Sequence, residues 1–556
     1  PVSAAASARR LSGGQAVVEG IRREGVRHVF CVPGESYLAA LDAFYDTPEI
    51  TLIVNRQEGG AAFMAEAYGK ATRHVGVVFV TRGPGATNAS IGVHAADQDS
   101  TPLVLFVGQV PRAFRGREAF QEMDYGRFFG GMAKWVVELQ RVGEIPGAVH
   151  RAFHLARSGR PGPVVVVLPE DVLTDEAELT FPPPRALSPP HPDPVAVGQW
   201  IEALNAAQRP AMIVGGGIQY ARARRELVAF SERFQAPVLT GFRRMDAFPN
   251  GHPHYLGNLG LGKSPAQDVV READLVVALG TRLPEMTTAD YTLPTPGQRL
   301  IHIDIHGPEI GKVFPAELGL VADARLALQA ALEHPPPPPN GARAAWIRGH
   351  RETFERYTEL KPRAVRGVPM ERVMADLNAA LPADAILTVD AGNFSGWIHR
   401  YRSYEAEDSF LGPTLGSMGY GLPSAIGAKL AHPGRVVVGN CGDGGFLMTL
   451  QELATAVQHG VNVIQLVYNN GSFGTIRMHQ ERDFPGRTVG TDLQNPDFAA
   501  LATSFGALGL RATEPDEFRP ALEQALAADR PAVIEVTTDL EAITTTATLS
   551  ELRAQR

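Results

Sequence analysis

Asp443 and Asn470 stand 27 residues apart, each just beyond a β-branched run. Asp443 lies in Gly442-Asp443-Gly444-Gly445, after a strand expected over 435–438; Asn470 closes Asn469-Asn470, after a strand expected over 463–468. In an open α/β sheet the carboxyl ends of parallel strands meet at the crevice where such sheets bind their ligands. One carboxylate and one amide oxygen are hard donors, and Mg²⁺ takes few protein ligands beside substrate phosphates. The glycines would expose backbone N–H groups able to cradle a diphosphate at the start of the next helix. The same residues also make a tight turn and a helix cap, both common at βα corners. Far upstream, Glu58 follows a strand expected over 50–54 and opens a helix rich in small residues. A carboxylate there can serve proton transfer, and the helix dipole favours it in any case.

Elements of a particular kind must carry such residues. Two stretches cannot sit in a helix or a sheet: 181–194 is half proline, and 335–339 is five consecutive prolines. Proline fixes φ and removes a donor, so these stretches read as stiff spacers. They divide the chain into three pieces, 1–180, 195–334 and 342–556. Each alternates short β-branched runs with helical patterns. Strands are expected at 75–81 and 103–107, with 164–168 as a buried one, then at 211–214, 274–279 and 300–305, and finally at 385–389 and 532–536. Such alternation implies parallel sheets with helices on both faces, hence three α/β domains of similar size. A formal charge of −8 leaves no basic footprint for nucleic acid. Two cysteines, Cys31 and Cys441, support neither a disulfide framework nor a zinc cluster. No apolar run reaches the roughly 20 residues of a membrane helix. Residues 1–10 lack the apolar segment of a secretory signal, so a cytoplasmic protein is expected.

The spacing of Gly442-Asp443-Gly444 and Asn469-Asn470 resembles the signature of thiamine-diphosphate-dependent enzymes. The resemblance implies that Asp443, Asn470 and the carbonyl of Ser472 hold Mg²⁺ on the cofactor's diphosphate. It also implies that Gly442, Gly444 and Gly445, with Gly392, Asn393 and Phe394 of Asp390-Ala391-Gly392-Asn393-Phe394, line the diphosphate site. Arg56-Gln57-Glu58-Gly59-Gly60-Ala61-Ala62 is similar to the family's Arg-His-Glu-Gln-Gly-Ala-Ala segment. Glu58 then becomes the carboxylate at N1′ of the aminopyrimidine, whose 4′-amino group removes the thiazolium C2 proton; Gln57 replaces the family's histidine. Val29-Phe30-Cys31-Val32-Pro33-Gly34 resembles the turn near the pyrimidine, with Cys31 for the usual glycine. The segment from Thr81 through Arg82-Gly83-Pro84-Gly85-Ala86-Thr87 to Asn88 resembles the family's TSGPGATN loop. In 415–423, Met418 would wedge between the two rings of the cofactor, and the Gly416 carbonyl would accept from the 4′-amino group. The implied fold is three doubly wound parallel-sheet domains: pyrimidine-binding (1–180), central (195–334) and diphosphate-binding (342–556). Because the family builds its sites between subunits, a homodimer or homotetramer is implied.

Within the family, the chain resembles the acetolactate synthase large subunit from about residue 11 to 536. Gly108-Gln109-Val110-Pro111-Arg112 and Ala119-Phe120-Gln121-Glu122 are close to that enzyme's GQVPR and AFQE, which sets Phe120 and the catalytic candidate Gln121 towards substrate. Gly216, Gly217, Arg282, Asp304 and Asp323 match the pattern that holds FAD in biosynthetic synthases; Arg282 is also a candidate for the acceptor carboxylate. Two departures fall where substrate is chosen: Leu283-Pro284-Glu285-Met286 replaces Phe-Asp-Asp-Arg, and Met478-His479-Gln480 replaces Gln-Trp-Gln, which makes His479 a candidate proton donor. The expected activity is decarboxylation of a 2-oxo acid, pyruvate favoured, with carboligation to a second carbonyl compound, and a regulatory subunit is an expected partner. The alternative is a lyase, decarboxylase or acyltransferase with the same cofactor, acting on another 2-oxo acid or an acyl-CoA. Glyoxylate carboligase lacks the glutamate present here as Glu58, and the chain has no His-His pair of the kind benzoylformate-type and pyruvate decarboxylases use.

Overall fold

The computed structural model describes residues 8–183 and 186–554. Residues 1–7, part of the stretch expected to carry no secretory signal, and residues 184–185 of the first proline-rich spacer lie outside the described residues.

Three six-stranded parallel sheets follow one another along the chain. The first runs, edge to edge, Thr51–Val54, His28–Cys31, Gly76–Val80, Leu103–Gln109, Pro163–Pro169 and Trp135–Glu138. The second runs Tyr255–Asn258, Val238–Thr240, Pro210–Val214, Leu275–Leu279, Arg299–Asp304 and Leu318–Val321. The third runs Phe410–Leu411, Ile386–Val389, Val437–Gly442, Ile464–Asn469, Ala532–Thr537 and Leu508–Ala512. The interior strands read as continuous apolar runs because helices cover both sheet faces; all seven residues of Pro163–Pro169 are buried. The strand expected over 435–438 begins two residues later and continues to Gly442, which brings Asp443 to its carboxyl end.

In each sheet the first strands build outward to one edge and the chain then crosses back to build the other side, starting between His28–Cys31 and Gly76–Val80, between Pro210–Val214 and Leu275–Leu279, and between Ile386–Val389 and Val437–Gly442. At such a point neighbouring connections leave on opposite faces, and a crevice opens beyond the strand ends. The loops that carry Pro33 and Thr81, Gly216 and Arg282, and Gly392 and Asp443 leave the sheets at these crevices.

The first and third sheets share one core, in which Phe30, Val78 and Val165 belong with Ile386, Ile426 and Val533. Small residues let helices from the two units approach closely. A Cβ on Gly427, in the helix Gly421–Ala431, would lie 2.4 Å from the Met64 carbonyl in Glu58–Thr72. The second sheet keeps its own core around Trp200 and Phe230. The helix Gly341–Tyr357, which follows the five prolines, packs on the second unit. Its buried Arg343 donates to the Phe234 and Leu204 carbonyls at 2.9 and 3.1 Å, and Ile347 joins the core of the second sheet.

Candidate functional site

Beyond the third sheet's crevice lies a cavity of about 320 Å³, lined by Gly392, Asn393, Phe394, Gly416, Met418, Gly442, Asp443, Gly444, Gly445, Asn470 and Ser472. Three loops, far apart in sequence, meet there because the sheet sets three strand ends side by side. Asp443 heads the helix Asp443–Thr449, in a first turn whose amides have no intrahelical acceptors. Its Oδ1 accepts from the Gly444 amide at 2.9 Å, and its Oδ2 from the Gly471 amide at 2.9 Å. Asn470 Oδ1 accepts from the Ser472 amide at 3.0 Å. Burial pushes the Asp443 carboxyl above the ordinary range, and among the described residues no ion pair reaches it. A divalent cation would supply the missing charge. Among the described residues no cluster of three or more His, Cys, Asp or Glu could hold a metal. The oxygen set of Asp443, Asn470 and the Ser472 carbonyl, with a single carboxylate, is instead the kind that suits Mg²⁺ completed by phosphate and water.

Residues beyond the metal and diphosphate candidates also support this cavity. Asn495 donates to Asp443 Oδ2 at 2.8 Å and to Asn469 Oδ1 at 2.9 Å, while its own buried Oδ1 has no partner. Only the turn-forming Asn495-Pro496 dipeptide marks it in the sequence. Asp390 is fully buried, and its carboxylate accepts from the amides of Gly419 and Gly421 at 3.0 and 2.6 Å, which fastens the Met418 loop to the strand Ile386–Val389. Burial pushes its carboxyl up to about 6. A Cβ on Gly445 would lie 2.2 Å from Asp390 Oδ2, so glycine is required there by space. Behind this loop, buried Arg243 donates to the carbonyls of Pro413 and Asp390 at 2.6 and 2.9 Å. The roof comes from Val365, Val368 and Met370 and from Thr538, Asp539, Ala542 and Ile543 of the threonine-rich tail.

Glu58 stands elsewhere. It begins the helix Glu58–Thr72, half-buried, and accepts from Asn88 Nδ2 at 2.9 Å on an exposed face of the first unit. Gln57, at the family's histidine position, is the N-cap, with its side-chain oxygen accepting from the Gly60 amide at 2.9 Å. Pro33, Gly34 and Thr81 meet at the first sheet's crevice, where a Cβ on Gly34 would come within 2.4 Å of Thr81 Cβ. Buried Glu452 ties this region to the third unit: it accepts from the Arg56 and Gln57 amides at 3.1 and 2.9 Å and from Asn55 Nδ2 at 3.0 Å. Neither Glu58 nor Gln121 belongs to the lining of the 320 Å³ cavity in the same chain. Phe120 is 73% exposed.

A second cavity, of about 110 Å³, lies at the crevice of the second sheet, lined by Gly216, Gly217, Arg282, Asp304 and Asp323 together with Arg160, Arg244 and Asp99. Close packing explains the glycines in part, because a Cβ on Gly217 would be 2.6 Å from Gly280 Cα. Burial pushes the Asp304 carboxyl up to about 6. The Arg282 guanidinium donates to the Gln98 carbonyl. The remaining candidate, His479, is exposed on the helix Gly474–Asp483 and lines neither cavity. No helix of the described residues is long and apolar enough to cross a membrane.

With this geometry in view, three family models match in order. The N-terminal TPP binding domain of thiamine pyrophosphate enzymes covers 11–128, their central domain 197–331 and their C-terminal TPP binding domain 390–536. The chain belongs to the thiamine pyrophosphate enzyme family. It is 33% identical over 552 residues to a probable acetolactate synthase large subunit of Methanocaldococcus jannaschii, covering 95% of this chain and 92% of that one. It is 34% identical to the acetolactate synthase large subunit of Corynebacterium glutamicum, covering 95% and 87%. It is also 33% identical to the acetolactate synthase isozyme 3 large subunit of Escherichia coli K12, covering 93% and 92%.

Proposed function

We propose that the protein is a thiamine-diphosphate- and Mg²⁺-dependent synthase that decarboxylates a 2-oxo acid, with pyruvate the favoured donor, and joins the remaining fragment to a second carbonyl compound. The observation that carries the reading is the convergence of Asp443, Asn470, Ser472, the 391–394 loop and Met418 on one cavity. The relatives' name, acetolactate synthase, supports the choice of reaction. When bound, the cofactor supplies the electron sink that lets CO₂ leave.

In this reading Asp443, Asn470 and the Ser472 carbonyl hold Mg²⁺, and the amides beside Gly444 and Gly445 receive the diphosphate. Met418, half-buried and held by Asp390 through its neighbours, sets the angle between the two rings. The Gly416 carbonyl accepts from the 4′-amino group. Glu58 holds a proton at N1′ of the aminopyrimidine, and Asn88 fixes its carboxylate. Because Glu58 faces outward on the first unit while the cavity lies on the third, a second copy of the chain supplies it. The working unit is therefore a homodimer or a dimer of dimers, with Phe120 and Gln121 facing the same shared site. The first proline-rich stretch marks the joint between the pyrimidine-binding and central domains, and the diphosphate-binding domain begins after the helix Gly341–Tyr357, which stays with the central one. A regulatory small subunit is a further partner of this reading, on the relatives' designation as large subunits.

The second cavity is the place for a flavin or another adenine nucleotide. Asp304 would accept from a ribose hydroxyl, and the arginines beside it offer charge-assisted bonds to a diphosphate. Visible flavin absorbance in the purified protein, lost on denaturation and gel filtration, would establish FAD; a colourless protein that binds ADP would assign the cavity to another nucleotide.

The deciding measurement follows CO₂ release and 2-acetolactate together, with ThDP, Mg²⁺ and pyruvate. Both products are expected, and Glu58→Gln should lower the rate about a hundredfold or more while ThDP still binds. CO₂ without acetolactate would replace the synthase with a decarboxylase or a carboligase for another acceptor. Neither product from a ThDP-loaded protein would remove pyruvate as donor.

A further inference from the structure

Arg82 stands where the family's TSGPGATN segment has serine. Its guanidinium is buried, at 9% side-chain exposure, and reaches in three directions. Nε donates to the Phe120 carbonyl at 3.2 Å, Nη2 to Glu35 Oε1 at 2.8 Å, and Nη1 pairs with Glu170. The backbone is fixed too, because the Arg82 amide donates to Ser36 Oγ at 3.2 Å and the Gly83 amide to the Tyr125 hydroxyl at 2.9 Å. Gly83 has φ +57°, and a Cβ there would lie 2.9 Å from the Gln121 carbonyl oxygen, so the loop carrying Phe120 and Gln121 sits directly on this turn. Gln121 is itself held in the left-handed region, at φ +64°. Glu122 laces the loop internally, accepting from the Gly116 and Ala119 amides at 2.6 and 3.1 Å and from Arg115 at 2.7 Å. The turn adjoins the Glu58 site, since a Cβ on Gly85 would be 3.3 Å from Glu58 Oε1.

We propose that Arg82 is a positioning residue that presets Phe120 and Gln121 against the substrate at the Glu58 site. This rests on the reading that the loop faces the 2-oxo acid. A serine at position 82 could not span from the turn to Glu35, Glu170 and the Phe120 carbonyl together, whereas a planar guanidinium with five donors can. The loop is therefore ordered before substrate arrives, and the cost of ordering it is removed from binding. The signature is a change in KM larger than the change in kcat, because the loop is held in the free enzyme.

The test uses the full chain with ThDP and Mg²⁺, comparing Arg82→Ser, Arg82→Lys, Glu35→Gln and Gln121→Ala. Peptide-level hydrogen exchange over 115–122 reports loop order, while KM and kcat for pyruvate and the ThDP dissociation constant report function. Arg82→Ser should speed exchange and raise KM about tenfold with ThDP affinity unchanged, Arg82→Lys should be intermediate, and Glu35→Gln, an exposed change that does not threaten folding, should shift both in the same direction by less. Unchanged exchange in both Arg82→Ser and Glu35→Gln would overturn the proposal, whatever the kinetics. Faster exchange with normal kinetics in both Arg82→Ser and Gln121→Ala would overturn the reading that the loop meets substrate. A Gln121→Ala defect beside normal Arg82→Ser kinetics would uphold that reading and overturn the role of Arg82.

Discussion

Gln57 and Asn495 show how much a single residue's meaning depends on what surrounds it. Gln57 occupies a position where the family places an imidazole, but its oxygen is committed to capping the helix that Glu58 opens. An amide there cannot titrate near neutral pH, so any proton delivered beside Glu58 must come from another group. Asn495 has no motif, yet it donates to the same Asp443 oxygen that accepts from the Gly471 amide. Outer partners of metal ligands orient them, and losing one commonly costs tenfold or more in affinity. Asn495→Ala is therefore expected to weaken Mg²⁺-supported ThDP binding about tenfold with little change in Tm. Trp397 lines the cavity, so quenching of its fluorescence during a ThDP titration provides the readout. Wild-type affinity in the variant would remove Asn495 from the site.

At the scale of elements, Glu452 and the tail do the joining. Glu452 begins the helix Glu452–Gln458, three residues past the end of the helix headed by Asp443, and its carboxylate ends on the Arg56 and Gln57 amides that precede Glu58. One buried side chain thus couples the turn holding Glu58 to the segment that follows Asp443. Burial pushes its carboxyl up, and the bonds from Thr455, Asn55, Arg56 and Gln57 oppose the shift. Glu452→Ala leaves the Arg56 and Gln57 amides without their acceptor and should cost about 1–3 kcal/mol, read as a lower Tm. Glu452→Gln, which keeps an acceptor, should lose less. The tail is held by bonds of moderate strength: Arg363 to the Thr544 carbonyl at 2.8 Å, the Arg366 amide to Asp539 at 3.0 Å, and Arg553 to Glu481 at 2.7 and 2.9 Å. Ending the chain after residue 538 removes part of the cavity's roof without touching a metal ligand. ThDP should then bind more weakly and leave faster, while the fold persists by circular dichroism. Unchanged ThDP release would show that the roof does not retain the cofactor.

For the molecule as a whole, Asp99 is where the three units meet. Its carboxylate pairs with Lys70 of the first unit and Arg244 of the second at 3.0 Å each, and accepts from the Thr414 amide of the third at 3.1 Å. Burial alone would push this carboxyl up, but the Lys70 and Arg244 cations carry it below the ordinary carboxylate range. The folded group thus titrates lower than the unfolded one, so its stabilisation is full above about pH 4 and is lost as pH falls through the folded value. Asp99→Asn should lower Tm at neutral pH and flatten the fall of Tm on the acid side. A variant with an unchanged acid limb would show that other carboxylates govern it. The same residue lines the 110 Å³ cavity of the second sheet, and Thr414 lies two positions before Gly416.

The sequence by itself determined the periodicity of three parallel α/β sheets, the order of the loops at their carboxyl ends, and the residue types able to hold a metal and a diphosphate. These are local properties: a β-branched run followed by glycine and one hard oxygen donor can be read without knowing what packs against it. It placed everything from residue 342 onward in the third domain, whereas the helix Gly341–Tyr357 docks on the second unit, because the proline run marks only a break in the chain and the pocket for Arg343 decides where the helix packs. Nor did it reveal Asn495, Glu452 or the tail residues of the roof, whose bonds to distant partners leave no spacing to detect. Tertiary structure also set Glu58 apart from the cavity lined by Asp443 and Met418. Which strand ends face one crevice is fixed by the order of strands across a sheet and by the packing of one sheet's helices on another's, and both are properties of contacts between residues hundreds of positions apart.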